Sequence, residues 1–145
     1  MFKKIAQLFG IKRAPEDDFE SRSILIVDDN EGDLLIIKRT VEKMGHRVLT
    51  ARNGREGIDM IKAEKPDLIL SDCRMPQMDG VEMFKQIKED PATKDIPLVF
   101  LTSVETPANV VECFDMGADN YICKPINPKL LADQIRAIFE EHFSS

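Results

Sequence analysis

Apolar residues along this chain fall into two alternating rhythms. Short continuous runs, rich in β-branched residues, read as strands buried on both faces. They are Ile24–Val27, Val48–Ala51, Leu68–Leu70, Ile96–Leu101 and Asn120–Cys123. Between them apolar positions recur at helical spacing, as in Leu34, Ile37, Val41 and Met44, or in Leu131, Ile135 and Ile138. Helix starts are marked by a capping residue with an acid three positions on: Asn30 with Asp33, Asn53 with Glu56, and Asp79 with Glu82. Thr106-Pro107 and Asn127-Pro128 open two further helices. Gly45, Lys65-Pro66, Asp90-Pro91 and Gly117 end the first four.

Five strands thus alternate with five helices through short loops. That alternation predicts an α/β domain over residues 23–143, a parallel sheet with flanking helices on both faces. Right-handed crossovers leave few topologies, and five such units suit the flavodoxin-like order 2-1-3-4-5.

The first 13 residues, MFKKIAQLFGIKR, break this pattern. On a helical wheel Phe2, Ile5, Ala6, Leu8 and Phe9 share one face, with Lys3, Lys4 and Gln7 opposite. Residues 2–9 therefore read as a short amphipathic helix. It suits a membrane surface, a partner groove, or packing on its own domain or a sister subunit. Residues 14–22 carry a proline and four acidic groups and read as a linker, so that residues 1–22 form a segment apart from the domain.

Composition narrows the function classes. The chain has 145 residues, 43% hydrophobic and 32% charged, which suits one soluble globular core. A net charge of -6, with its one basic stretch in the first 13 residues, disfavours nucleic-acid binding. Three scattered cysteines make neither a disulfide framework nor a metal pattern, which fits a reducing cytoplasm. Two histidines exclude a His-rich metal site. No apolar run approaches a membrane span.

All strand carboxyl ends of a parallel sheet lie on one edge, where such folds place their chemistry. Here that edge gathers Asp28 and Asp29 from the first strand, Asp72 from the third, Thr102 from the fourth and Lys124 from the fifth. Three neighbouring carboxylates repel one another unless a cation joins them. Mg²⁺ is the hard ion that takes a few carboxylates and leaves positions open for phosphate oxygens. Lys124 supplies a point charge and Thr102 a hydroxyl. The combination suggests phosphoryl transfer onto a carboxylate.

These residues, with Met75-Pro76, Asp79-Gly80 and Lys124-Pro125, resemble the receiver domain of two-component response regulators over about residues 22–143. The resemblance implies that Asp72 is the phosphoacceptor. It implies that Asp28, Asp29, Asp72 and the backbone carbonyl of Arg74 hold Mg²⁺, and that Lys124 pairs with the phosphoryl group. Thr102 and Tyr121 would be the switch residues, and the Lys124-Pro125 bond would be cis. Arg74 and Val104 occupy positions that tune dephosphorylation, and a bulky Arg74 with an apolar Val104 is expected to prolong the phosphoaspartate. The donor would be a sensor histidine kinase or a histidine phosphotransfer protein. The expected output is a protein contact on the face of the fourth helix, fifth strand and fifth helix. A homodimer, or a contact through residues 2–9, stays open. Nothing follows the last helix in this sequence, so a single-domain regulator that catalyses only its own phosphorylation and dephosphorylation is expected.

Three other readings share the pattern. A Mg²⁺-dependent phosphohydrolase with an aspartyl-phosphate intermediate wants a second acid two residues after the nucleophile, where Arg74 stands. A flavin module wants a Ser/Thr/Gly-rich loop after the first strand, where Asp28-Asp29-Asn30-Glu31 stands. A degenerate scaffold would not need the full set of acids, hydroxyl and lysine.

Overall fold

The computed structural model describes residues 20–73, 75, 77–103, 115 and 117–143. The five strands are β1 (Ser23–Val27), β2 (Arg47–Ala51), β3 (Leu68–Asp72), β4 (Leu98–Ser103) and β5 (Asn120–Lys124). They form one sheet in the order β2-β1-β3-β4-β5, with every pairing parallel. Four helices lie among the described residues: α1 (Glu31–Lys43), α2 (Gly54–Glu64), α3 (Gly80–Glu89) and α4 (Pro128–Phe143). The predicted helix from Thr106 to Gly117 lies outside the described residues except for Asp115 and Gly117, as does the amphipathic segment at residues 2–9.

The period of two along a strand divides the interior into two layers. Ile24, Ile26, Leu68, Leu70, Val99 and Leu101 pack with Ile37 and Val41 of α1 and Leu131, Ile135 and Ile138 of α4. Leu25, Val27, Ile69, Leu98 and Phe100 pack on the other face with Ile61 of α2 and Met83, Phe84 and Ile87 of α3. Phe84 and Phe100 meet edge to face, their centroids 5.5 Å apart. Both faces of β1 are fully covered, which is why its apolar run is continuous rather than alternating.

The helix starts follow the capping pattern. Asn30 accepts a hydrogen bond from Asp33 N at 2.9 Å, Asn53 from Glu56 N at 2.9 Å and Asp79 from Glu82 N at 2.8 Å. Glu56 reaches back to Arg52 N at 2.8 Å, completing a close relative of the capping box. Asp33 does not reach back, and its carboxylate serves elsewhere. The fourth strand begins at Leu98, two residues later than its apolar run suggests. Pro97 has no N–H for the ladder, and its carbonyl accepts from Ile69 N at 3.0 Å just before pairing begins.

One glycine fixes the approach of α3 to the sheet. Gly80 N donates to Cys73 O at 3.0 Å, and a Cβ at this position would collide with the Asp72 carbonyl oxygen. The start of α3 therefore lies directly against the end of β3, beneath Asp72.

Candidate functional site

Asp28 follows the last residue of β1, and its amide donates to Ala51 O at 3.0 Å. Its side chain is wholly buried. Burial of a carboxylate demands partners, and Asp28 has them. Oδ1 accepts from Asn30 N at 3.0 Å and Oδ2 accepts from Lys124 Nζ at 2.9 Å. Asp72 ends β3, the neighbouring strand, and its Oδ2 accepts from Lys124 Nζ at 3.2 Å. Asp29 is exposed at the rim. One carboxylate oxygen from each of Asp28, Asp29 and Asp72 lies within 4.8 Å of the others.

Lys124 ends β5 and crosses the edge to reach these acids. Its ammonium also pairs with Asp33 Oδ2 at 2.9 Å. Burial pulls the Lys124 pKa down, but hydrogen bonds to Asp33 and Asp28 and the charge of Asp72 outweigh it, so the group is held above the usual lysine range. Lys124 is therefore a fixed cation throughout the neutral range. Its peptide bond to Pro125 is cis.

Thr102 lies on β4, between the Asp72 and Lys124 strands, and is buried. Register places Asp72 opposite Leu101, and Thr102 opposite Cys123. The hydroxyl donates to Ser103 O at 3.2 Å. Tyr121 sits opposite Phe100 on β5 and is 36% exposed, at the boundary of the surface. Arg74 and Val104 lie outside the described residues. Cys73, next to Asp72, is buried, and its amide donates to Leu101 O at 3.3 Å.

The structure thus brings Asp28, Asp29, Asp72 and Lys124 to one point, with Thr102 on the strand between Asp72 and Lys124. It adds Asp33, which sequence reasoning assigned only to the helix cap. The Asp33 backbone does serve the cap, while its carboxylate turns to Lys124. Position in the first turn after Asp28-Asp29 was the available signal, but only the fold shows that Lys124 arrives there. Three carboxylates around one ammonium, with Asp29 beside them at the rim, leave the site strongly negative. Hard oxygen donors within 4.8 Å suit a small divalent cation better than a soft one.

A family model described as the response regulator receiver domain matches residues 24–136. The chain belongs to that family. This receiver is 42% identical to the transcriptional regulatory protein YvrH of Bacillus subtilis over 127 residues, 87% of this chain and 52% of YvrH. It is 35% identical to protein PilH of Pseudomonas aeruginosa, covering 79% of this chain and 95% of PilH. The chain thus spans about half the length of transcriptional regulators such as YvrH, and nearly all of PilH. Among solved structures, a CheY-like receiver domain protein from Methanospirillum hungatei superimposes with a TM-score of 0.78 at 31% identity, covering 85% of this chain and 97% of that one. Membership places the receiver in two-component signalling. No helix among the described residues is long and apolar enough to cross a membrane.

Proposed function

We propose that this receiver accepts a phosphoryl group on Asp72 and signals through a phosphorylation-dependent protein contact. The observation that carries this reading is the Asp72 carboxylate, held at 3.2 Å from Lys124 beside two further acids. A carboxylate in such a place is a nucleophile toward phosphorus. Its oxygen forms the new P–O bond while the P–N bond to a donor phosphohistidine breaks, and the electron pair returns to the imidazole. The donor is a sensor histidine kinase or a histidine phosphotransfer protein.

Asp28, Asp29 and Asp72, with the backbone carbonyl of Arg74, would hold Mg²⁺. The ion, when bound, neutralises charge on the transferring oxygens. Lys124 pairs with a phosphoryl oxygen as a compact point charge. Thr102 hydrogen-bonds the phosphoryl group, and Tyr121 changes rotamer with it. The output surface then includes β5, α4 and the helix that the sequence predicts before β5. A phosphoryl group adds roughly -1.5 to -2 charges, by analogy with other phospho-residues, which is sufficient to bias two states a few kcal/mol apart.

The domain is residues 23–143, and residues 1–22 are a separate segment with a targeting or contact role. We read the protein as a cytoplasmic regulator, and PilH, matched over 95% of its length, is a relative that extends little beyond the matched region. Arg74 in place of a second acid argues against turnover of small phosphoesters, and with Val104 it favours a long-lived phosphoaspartate.

Intact mass after incubation with acetyl phosphate tests the reading. A single phosphoryl adduct that needs Mg²⁺ and vanishes in Asp72→Asn is expected. An adduct that survives in Asp72→Asn would overturn the assignment.

A further inference from the structure

Lys124 has more acidic partners than phosphoryl chemistry requires. An ammonium carries three N–H donors. In this structure three carboxylates share them: Asp28 at 2.9 Å, Asp33 at 2.9 Å and Asp72 at 3.2 Å. A phosphoryl oxygen can reach Lys124 only by displacing one of the three. Asp28 is buried and bound to the Asn30 amide, and Asp72 carries the incoming group. Asp33 is the partner that can be given up, because its side chain is 24% exposed and water can replace the lysine.

Asp33 is also held in place. Its amide donates to the Asn30 cap at 2.9 Å, and the Asn30 amide donates to Asp28 at 3.0 Å. The first turn of α1 thus presents one carboxylate to Lys124 while it orients another at the centre of the site.

We propose that Asp33 is a positioning residue that holds Lys124 in the unphosphorylated state, and so sets phosphoryl affinity against cation affinity. The inference rests on Asp72 being the phosphoacceptor. With Asp33 present, part of the lysine's charge is drawn away from Asp28 and Asp72, which leaves those acids more attractive to a divalent cation. The same carboxylate competes with the phosphoryl group for the ammonium and repels its negative oxygens. Removing the charge of Asp33 acts in opposite directions on the two ligands. Lys124 turns fully to Asp28 and Asp72 and competes with the cation. Once the cation is saturating, Lys124 is available to a phosphoryl oxygen without competition from Asp33.

The test uses the full chain with Asp33→Asn, Asp33→Ser and Asp33→Glu, and Asp72→Asn as control. Mg²⁺ affinity is measured by calorimetry. Affinity for beryllofluoride, a phosphoryl mimic, is measured at saturating Mg²⁺ through Tyr121, the sole tyrosine in a chain without tryptophan. In both neutral variants Mg²⁺ binding should weaken roughly 3- to 10-fold and beryllofluoride binding should tighten by a similar factor. Asp33→Glu should return both toward wild type. Loss of both affinities together would mark Asp33 as merely structural, and unchanged affinities would remove it from the site. Either result overturns the proposal. If wild type takes up beryllofluoride and Asp72→Asn does not, the phosphoacceptor reading stands and the Asp33 ratio alone decides. If both take it up equally, the phosphoacceptor reading falls and the inference falls with it.

Discussion

At the scale of single residues, the site is organised by one buried charge. Asp28 has no exposed surface, and its Oδ2 depends on Lys124. Removing one partner of a buried pair leaves an uncompensated charge, which costs more than the pair contributes. Lys124→Met keeps the stem and deletes the ammonium. In EDTA it should lower unfolding free energy by about 2–3 kcal/mol, below the fully buried range because Asp33 and Asp72 are partly solvated. Mg²⁺ should return part of that loss, because a cation among Asp28, Asp29 and Asp72 substitutes for the ammonium. Urea unfolding with and without Mg²⁺ reads both effects. A loss unchanged by Mg²⁺ would mean that the acids do not share a cation.

At the scale of elements, the site depends on how closely α3 approaches β3. The cap at Asp79 sets where α3 begins, and Gly80 lets its first turn touch the Asp72 backbone. Gly80→Ala adds one methyl group against a main-chain carbonyl that cannot move without shifting Asp72, the proposed phosphoacceptor. The expected cost is about 1–3 kcal/mol in stability, with slower phosphorylation by acetyl phosphate at saturating Mg²⁺. Alanine at an exposed helix position would instead stabilise, as Gly→Ala commonly does. Thermal melts and phosphorylation rates of the variant distinguish the two outcomes. The strand ends, and the caps and buried faces of the four described helices, were legible in the sequence, because each follows from local periodicity and short-range hydrogen bonding. The start of β4 was less so. Ile96 is apolar like its neighbours, but Pro97 has no donor, and the ladder begins after it.

At the scale of the whole molecule, the two ends of the sheet have different chemistry. The proposed phosphoryl chemistry belongs to the carboxyl end. At the amino end, Arg22 N donates to His46 Nδ1 at 3.0 Å, and the ring packs edge-on against Phe139 of α4. Burial and the Arg22 charge hold the His46 pKa below its ordinary 6.5, against the raising influence of Asp67, with Arg136 lowering it further. The unfolded chain therefore binds a proton more readily than the folded one. The stability this site contributes is complete above pH 6.5 and is lost as pH falls from there through the lower folded pKa. His46→Asn preserves an acceptor for the Arg22 amide and removes the titration. Its melting temperature should fall less than that of wild type between pH 7.5 and 5.5, while the Mg²⁺ affinity of the distant acids stays unchanged.

Periodicity and capping in the sequence determined five parallel strands, the four described helices and the edge where Asp28, Asp29, Asp72, Thr102 and Lys124 gather. Those signals are local, and a parallel α/β sheet converts chain order into spatial order by rule. The tertiary structure alone decided which acids Lys124 touches. A long flexible side chain from the last strand can reach any group on the shared edge, and no spacing along the chain encodes its choice. Asp33 looked like a capping residue because its backbone is one. Its carboxylate belongs to the site because the first turn of α1 and the end of β5, far apart in sequence, both lie at the carboxyl edge of one sheet.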